Sequence, residues 1–301
     1  MPIDRAEAEA LIQTQDAREI IQQAPEASAA LRTFRKVNMG TSIARLPVIS
    51  ALPQAGFVVG DTGVKPVADQ AWERKVLTAE ELAVIVAIPE NVFDDTSMNV
   101  WDEVRPRIVE AFGVALDAAV FFGTGAPASW PDSLVEGAVA AGNVRLSVGD
   151  DLVADVSETW ALVEADGHDV NVNYAPRSIR AALRGLRDQN GQPLLNVQGG
   201  LGTAPNYAVF GEDLEFVSNG AWTAADAKLI AGDRSMAILG LRQDVQYKIL
   251  TEATIGGVSL AETDQIALRA KMRVAFQVAD PTTLSGGANA YPFAVLSPDA
   301  V

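Results

Sequence analysis

The chain has 301 residues, enough for one large or two ordinary domains with a buried core. Its apolar fraction of 49% predicts a folded protein, and the absence of cysteine excludes disulfides and thiolate metal sites. The formal net charge of −16 repels phosphate backbones, which argues against a dedicated nucleic-acid binder. The longest apolar run, residues 82–88, is too short for a membrane-spanning helix, which predicts a buried strand in a soluble protein.

The first two segments are predicted to lack partners within their own subunit. Residues 1–45 are typical of an N-terminal arm with a marginal amphipathic helix, which needs something else to pack on. Residues 46–88 are typical of a long β-hairpin, with a turn at Gly60-Asp61 and Gly63. Because few large apolar residues lie near its tip, such a hairpin cannot stabilise itself. We expect both segments to lie against another subunit.

The clearest helical periodicity lies in residues 97–122. An interior proline breaks or kinks a helix, so Pro106 predicts a short first piece followed by a main helix. The Gly-Thr-Gly that follows resembles a phosphate loop, but such loops open a helix rather than end one. We therefore interpret Gly123 and Gly125 as a helix C-cap, with Pro127 preventing continuation.

The rest of the chain predicts an α+β lobe and one long strand. Amphipathic helices are predicted at residues 150–166 and 176–188, and helices mix with short strands over residues 170–250. Residues 264–280 alternate apolar and polar side chains with period two, which predicts a long half-buried strand.

One face of this strand is basic, with Arg269, Lys271 and Arg273. The simpler interpretation is a solvated face, or one paired with neighbouring acids. The alternative is a contact for acidic arms, scaffold or packaged nucleic acid.

Candidate chemistry is sparse. His168, the only histidine, lies in a loop-like stretch and is predicted to be a surface residue without a metal. Acid pairs at 80–81, 94–95 and 150–151 fit helix starts and turns better than a catalytic pair, because adjacent carboxylates usually diverge. No nucleophile elbow, Walker A or metalloprotease motif is present. The sequence therefore predicts no catalytic residue, cofactor or metal.

Five segments, in order over residues 40–280, resemble the major capsid proteins of tailed bacteriophages. Residues 117–127 are similar to the D-x-x-x-x-x-G-x-G-x-P end of that family's spine helix, and residues 77–95 and 186–195 resemble two further segments. The family's G-D-x-S-x-A-x-x-G-x-R segment is matched by Gly232, Asp233, Ser235, Ala237, Gly240 and Arg242. Its D-x-x-x-x-R-x-x-x-R-x-x-F strand is matched by Asp264, Arg269, Arg273 and Phe276.

The resemblance implies the α+β Hong Kong 97-type fold and a structural role without enzymatic activity. Copies of the chain would form hexamers and pentamers of an icosahedral head shell, assembled in the bacterial cytoplasm around double-stranded DNA that the shell touches weakly and nonspecifically. The implied segments are an N-terminal arm (1–45), an extended hairpin loop (46–88), a peripheral domain with the spine helix (89–168), an axial domain (169–262), and a return strand with a C-terminal tail (263–301).

The resemblance also implies partners and residue roles. Candidate partners are portal, cementing and scaffolding proteins. Some family members begin with a scaffolding segment that a protease removes, but the roughly 45 residues before the hairpin are too few for one. We therefore expect a separate scaffolding protein or none. Some members crosslink a hairpin lysine to a neighbouring asparagine, which makes Lys65 and Lys75 candidates. The segment from Gly232 to Arg242 is expected to shape a turn between the axial and peripheral domains, with Arg242 anchored to a carboxylate.

Two alternatives stay open at this point. An encapsulin-type nanocompartment shares the fold but encloses cargo enzymes. A soluble α+β enzyme or binding protein is disfavoured by the missing catalytic constellation and by the long hairpin.

Overall fold

Two sheets and one long helix organise the described part of the protein. The computed structural model describes residues 28–52, 71–91, 100–147, 151–186, 208–283 and 290–298. Its helices are α1 (Ala29–Thr33), α2 (Val100–Phe122), α3 (Leu134–Ala141), α4 (Leu152–Ala165) and α5 (Ile179–Gly185). Its strands are β1 (Arg35–Asn38), β2 (Ile43–Ala51), β3 (Ala71–Thr78), β4 (Glu80–Pro89), β5 (Val144–Leu146), β6 (Val172–Pro176), β7 (Ala208–Val209), β8 (Glu212–Val217), β9 (Leu229–Gly232), β10 (Ala237–Leu250), β11 (Thr254–Ile255), β12 (Val258–Ser259), β13 (Gln265–Val278) and β14 (Phe293–Ser297).

The first sheet has four strands in the order β1-β10-β13-β4. Strand β13 runs antiparallel to both neighbours, with Phe276 opposite Leu239 of β10 and Leu268 opposite Val86 of β4. The alternation predicted for β13 places apolar side chains on one face, where they share a core with Ile108 and Phe112 of α2. Burial of each large apolar side chain there contributes about 1.5–3 kcal/mol, so α2 and the sheet hold each other in place.

Strand β4 corrects the prediction of a buried strand at residues 82–88. It lies at the edge of the sheet, and its residues alternate between half-buried and exposed. Val84 packs toward α2, whereas Ile85 is 43% exposed on the opposite face. The run is uniformly apolar in sequence, because both the half-buried and the exposed positions of this strand hold small or branched apolar residues. A continuous apolar run therefore does not distinguish this edge strand from a buried one.

The second sheet has six strands in the order β5-β14-β9-β6-β8-β7. Helix α4 packs on β5, β9 and β14, and its Val163 lies in a core shared with Leu229 and Leu296. The two sheets do not follow the segment boundaries predicted from sequence. Strand β14, from segment 263–301, joins this sheet, whereas β10, from segment 169–262, joins the first sheet. The reason is that the chain crosses between the sheets at the β9–β10 turn and again between β13 and β14.

Helix α2 is continuous from Val100, so the predicted break at Pro106 is wrong. Proline removes one N–H from the helix ladder and usually costs several kcal/mol in a helix interior. Here Val104 and Ile108, on either side of the proline, pack against the first sheet. This packing holds the helical path across the proline, because tertiary contacts outweigh local propensity.

The hairpin is shorter than the predicted segment 46–88. Strands β2 and β3 pair from Ile43 opposite Thr78 to Ala51 opposite Ala71, and the chain then enters β4 of the first sheet. Leu77 at the hairpin base is fully buried beside Met39, Ile238 and Ala275. The predicted tip at Gly60, Asp61 and Gly63, together with Lys65, lies outside the described residues, as does most of the arm.

We predict that Gly232→Ala destabilises the subunit by about 1–3 kcal/mol, because there is no room for a methyl group. An added Cβ would meet the carbonyl oxygen of Pro292 and the ring of Phe293. Gly185→Ala is the control, because nothing lies within 4 Å of its Cβ position and alanine favours a helix. Urea unfolding of both variants measures the difference, and an equal effect of the two substitutions would contradict the predicted clash.

Candidate assembly site

The hairpin exposes apolar side chains on its outer face, beside Arg45 and Arg74, and has an anchored base. Trp72 is 61% exposed and Ile43 is 50% exposed, and both lie on its outward side with Val76. Exposed tryptophan is a residue type that carries much of the binding energy at protein interfaces. This face is therefore suited to contact with another protein surface.

Polar contacts fix the direction in which the hairpin leaves the subunit. Lys75 Nζ lies 2.8 Å from a carboxylate oxygen of Asp280, just beyond the end of β13. On the other strand, Thr282 donates its backbone N–H to the carbonyl of Ile49 at 3.0 Å and its hydroxyl to the carbonyl of Ser50 at 2.8 Å. The proposed crosslinking lysine Lys75 thus has a structural partner within its own subunit.

The end of α2 is a helix cap rather than a phosphate site. Gly123 adopts a φ of +73° and donates its N–H to the carbonyl of Ala119 at 3.0 Å, and Gly125 adopts a φ of +70°. The carboxylate of Glu136 lies 2.6 Å from where a Cβ of Gly123 would stand. A carboxylate at the electronegative end of a helix repels an anion, so this loop cannot hold a nucleotide.

A buried carboxylate, Asp117, joins the arm to α2. Its side chain is fully buried and accepts hydrogen bonds from Ser28 Oγ at 2.6 Å and from the N–H groups of Ala29 and Ala30 at 2.9 and 3.0 Å. Asn219 Nδ2 donates a fourth bond at 2.7 Å. Burial raises the pKa of Asp117, and the four hydrogen bonds act in the opposite direction.

The role of Asp117 was not predicted from the sequence, although Asp117 is the first residue of the motif that ends at Pro127. It is the only charged residue between Glu110 and Asp132. A lone acid in such an apolar stretch of helix signals a buried partner, since an unpaired buried carboxylate is costly. Here the partner is the N-terminus of α1, whose free N–H groups favour a negative charge.

The β9–β10 turn is shaped by Asp233 and held to the second sheet. Asp233 Oδ1 accepts bonds from the N–H of Ser235 at 2.9 Å and from Asn171 Nδ2 at 2.6 Å. Asn171 Oδ1 in turn accepts the N–H of Arg234 at 2.9 Å, and the Asp233 N–H reaches the carbonyl of Pro292 at 3.0 Å. This turn connects the two sheets, with Gly232 as the last residue of β9.

Gly240 and Arg242 do not belong to this turn, which corrects the prediction. Both lie within strand β10, because the apolar stretch after Met236 pairs directly with β13. A Cβ on Gly240 would meet the Met39 sulfur and Leu77, so its glycine allows the hairpin base to approach the sheet. Arg242 is exposed, and no carboxylate within the described ranges pairs with it.

The basic residues of β13 lie on the sheet face opposite α2. Lys271 Nζ is 3.6 Å from Glu81 of β4, and Arg273 donates to the carbonyl of Ala79 at 3.3 Å. Arg269 lies opposite Ile85 on one side and Lys248 on the other. The pairing of Lys271 with an acid agrees with the simpler interpretation for that residue, although the acid comes from a strand rather than a helix.

His168 is buried rather than on the surface, which corrects the prediction. The residue is 6% exposed and follows the end of α4, where its backbone N–H donates to the carbonyl of Val163 at 3.2 Å. Burial lowers the pKa of His168, opposed by the nearby carboxylates of Asp233, Asp166, Asp280 and Asp169.

The remaining acid pairs have structural contacts. Glu80 and Glu81 lie at the start of a strand rather than in the predicted helix start or turn, and Glu80 accepts the hydroxyl of Ser129 at 2.6 Å. Asp151 caps α4 as predicted, bonding the N–H groups of Val153 and Ala154. Asp94, Asp95 and Asp150 lie outside the described residues.

Among the residues with described positions, no acid or histidine cluster could hold a metal, and no helix is long and apolar enough to cross a bilayer.

Comparison with known proteins gives consistent matches. The profile described as "Phage capsid family" matches residues 8–286. The major capsid protein of Staphylococcus phage 80alpha is 25% identical over 217 residues, covering 69% of this chain but only 64% of that protein. A solved chain from Microbacterium phage Oxtober96 is 47% identical, with a TM-score of 0.80 over 90% of this chain and 91% of that one. A chain from Mycobacterium phage Cain is 35% identical, with a TM-score of 0.82 over 100% of both.

We predict that Asp117→Ala lowers the free energy of unfolding by about 2–4 kcal/mol, because it leaves buried donors of Ser28, Ala29 and Ala30 without an acceptor. Asp151→Ala removes an exposed cap from α4 and is the matched control, with an expected loss of about 1 kcal/mol. Urea unfolding of the two variants compares them. A loss at Asp117 no larger than that at Asp151 would show that the buried network does not hold the arm.

We predict that His168 makes the subunit less stable in mild acid. Because the folded-state pKa lies below the ordinary value of about 6.5, the unfolded chain binds the proton first as the pH falls. The contribution is fully present above pH 6.5 and is lost as the pH falls through the lowered pKa. Thermal unfolding of the wild type and His168→Gln between pH 7.5 and 5 tests this: the melting temperature of the variant should fall less, and parallel curves would refute the assignment.

Proposed function

The chain belongs to the phage capsid family as a major capsid protein with the Hong Kong 97-type fold, and from this premise we propose how its copies assemble. Copies form hexamers and pentamers, and these close into an icosahedral head shell around double-stranded DNA. The proposal includes assembly in the cytoplasm of the host bacterium.

The hairpin is the observation that supports this proposal most directly. Its base is fixed by Lys75, Ile49 and Ser50, whereas its outer face exposes Trp72 and Ile43. A fixed projection that exposes apolar side chains fits a heterologous contact, in which two different surfaces of neighbouring subunits meet head to tail. Repetition of such a contact around an axis generates rings, which is the arrangement that hexamers and pentamers require.

The proposed cohesion is distributed over many modest contacts. The hairpin and the arm supply them, and the buried Asp117 network holds the start of the described arm in one position on α2. We propose Gly123, Gly125 and Pro127 as the residues that end the spine helix at a fixed point. No catalytic residue is assigned, and the role is structural.

Other partners follow from the shell. A portal, a scaffolding protein and a cementing protein are the proposed protein partners. The net charge of −16 favours weak and nonspecific contact with the enclosed DNA, because like charges repel. The family match and the structural neighbours favour neither the encapsulin alternative nor the soluble enzyme.

We predict that deletion of residues 60–66 leaves a folded subunit that forms no complete shell. The paired strands 43–51 and 71–78 and their anchors stay in the variant, so its melting temperature should equal that of the unassembled wild type. Electron microscopy and sedimentation should detect soluble subunits or isolated capsomers. Normal closed shells from the deletion variant would show that the hairpin tip is not needed for shell closure.

A further inference from the structure

A cluster of four cations lies on one face of the four-stranded sheet. We call it the open basic face; it consists of Lys248 of β10 and Arg269, Lys271 and Arg273 of β13. The register places all four on the side away from α2, because their strand neighbours Leu268, Met272 and Tyr247 belong to the core shared with that helix.

The hairpin base covers only one half of this side of the sheet. Ile238 and Ala275 are buried beneath Leu77, and Gln277 donates to the carbonyl of Val76 at 3.0 Å. The other half, which carries the cations, is partly open, and Arg269, Lys271 and Arg273 are half-buried there. Lys248 is exposed there, as is Ile85 of the neighbouring strand β4.

The charges of the open basic face are poorly balanced within the subunit. Arg269 and Lys248 are directly opposite each other in the antiparallel pair, an arrangement that destabilises a sheet. The Nε of Arg269 is buried without a hydrogen-bond partner in the described structure. Among the described residues, Glu81 is the carboxylate that pairs with the cluster, at 3.6 Å from Lys271.

Because this charge cluster lowers the stability of the subunit, folding does not explain its presence. Unfavourable local charges of this kind are typical of functional surfaces. The chain carries 39 acidic and 23 basic residues, so a face with four cations and one carboxylate contrasts with the rest of the protein. Carboxylates of a second copy are the complementary charges that assembly brings close in large number.

We propose that the open basic face binds a carboxylate-bearing surface of a second copy of this chain, an inference that rests on the proposed shell function. The apolar side chains beside the cations favour protein over nucleic acid as the occupant. Ile85 is 43% exposed, and Ala83 and Ala87 line the same side of β4. A phosphate backbone would neutralise the cations but would leave these apolar groups in water.

The test uses Lys248→Glu in the full-length chain, expressed with the other head genes of a phage that carries it. The substitution turns the repulsive pair with Arg269 into an attractive one, so the melting temperature of the isolated subunit should rise by about 1–3 °C. The yield of closed particles in 50 mM salt should nevertheless fall by about tenfold or more, since the new glutamate repels the carboxylates of the second copy.

Two controls separate the possible outcomes. Lys248→Arg keeps the charge and should assemble normally. Lys36→Glu places the same reversal on an exposed residue of β1, opposite Leu239 on the α2 side of the sheet, and should retain most of the particle yield.

Each result decides a different question. If the wild type forms no particles with its head genes, the proposed shell function fails. If the wild type forms particles and Lys248→Glu forms them equally well, the shell function stands and the open basic face is not a subunit contact. If the Lys248→Glu particles form normally but hold less DNA, the face contacts nucleic acid and the proposal is overturned. An equal loss of particles in Lys36→Glu also overturns it, because the effect would then be one of overall charge.

Discussion

The buried carboxylate of Asp117 is the interaction on which the arrangement of the subunit depends. Asp117 lies near the end of α2, and two distant parts of the chain donate hydrogen bonds to its two oxygen atoms: the start of α1 and the loop after β8. A buried carboxylate is tolerable only when its oxygens are fully hydrogen-bonded, so all three parts must be in place together. The described start of the arm is therefore held at a fixed point on α2, with Phe34 packed against Phe121 and Tyr174.

Polar anchors of the same kind recur where the two sheets meet. Asp233 and Asn171 hold the β9–β10 turn, and Asp166 accepts bonds from Asn143 and from the N–H of Tyr291. The largest apolar core is shared by both sheets and α2, with Tyr174 and Phe293 of the second sheet beside Phe276 of the first. Such packing is tolerant of small shifts, whereas hydrogen bonds are directional. The polar groups therefore add a defined geometry to a junction that apolar packing holds together.

The sequence predicted those features that depend on local pattern. The period of two in β13, the glycine cap after α2 and the Asp151 cap of α4 all follow from neighbouring residues, and the structure contains each of them. The family resemblance, which rested on five ordered motifs, is confirmed by the family match and by structures of similar length.

Features that depend on distant contacts could not be predicted in this way. Pro106 argues locally for a break, but packing on the first sheet keeps α2 continuous. His168 lies in a stretch that is polar in sequence, yet it is buried beside the end of α4, near carboxylates of two distant segments, Asp233 and Asp280. Gly240 resembles a turn residue within its motif, whereas its actual role is to make room for Met39. Each of these errors has the same cause: the deciding neighbour is far away along the chain.

The anchoring of the hairpin base has a mechanical consequence. Because Asp280 and Thr282 fasten both hairpin strands to the end of β13, the hairpin and the sheet behave as one lever. The eight residues of β3 extend about 26 Å, so a tilt of the sheet by about 5° moves the far end by about 2 Å. In the proposed assembly, five-fold and six-fold rings differ in the rotation between neighbouring subunits. A hairpin fixed to the sheet converts such a rotation into a larger displacement at its far end.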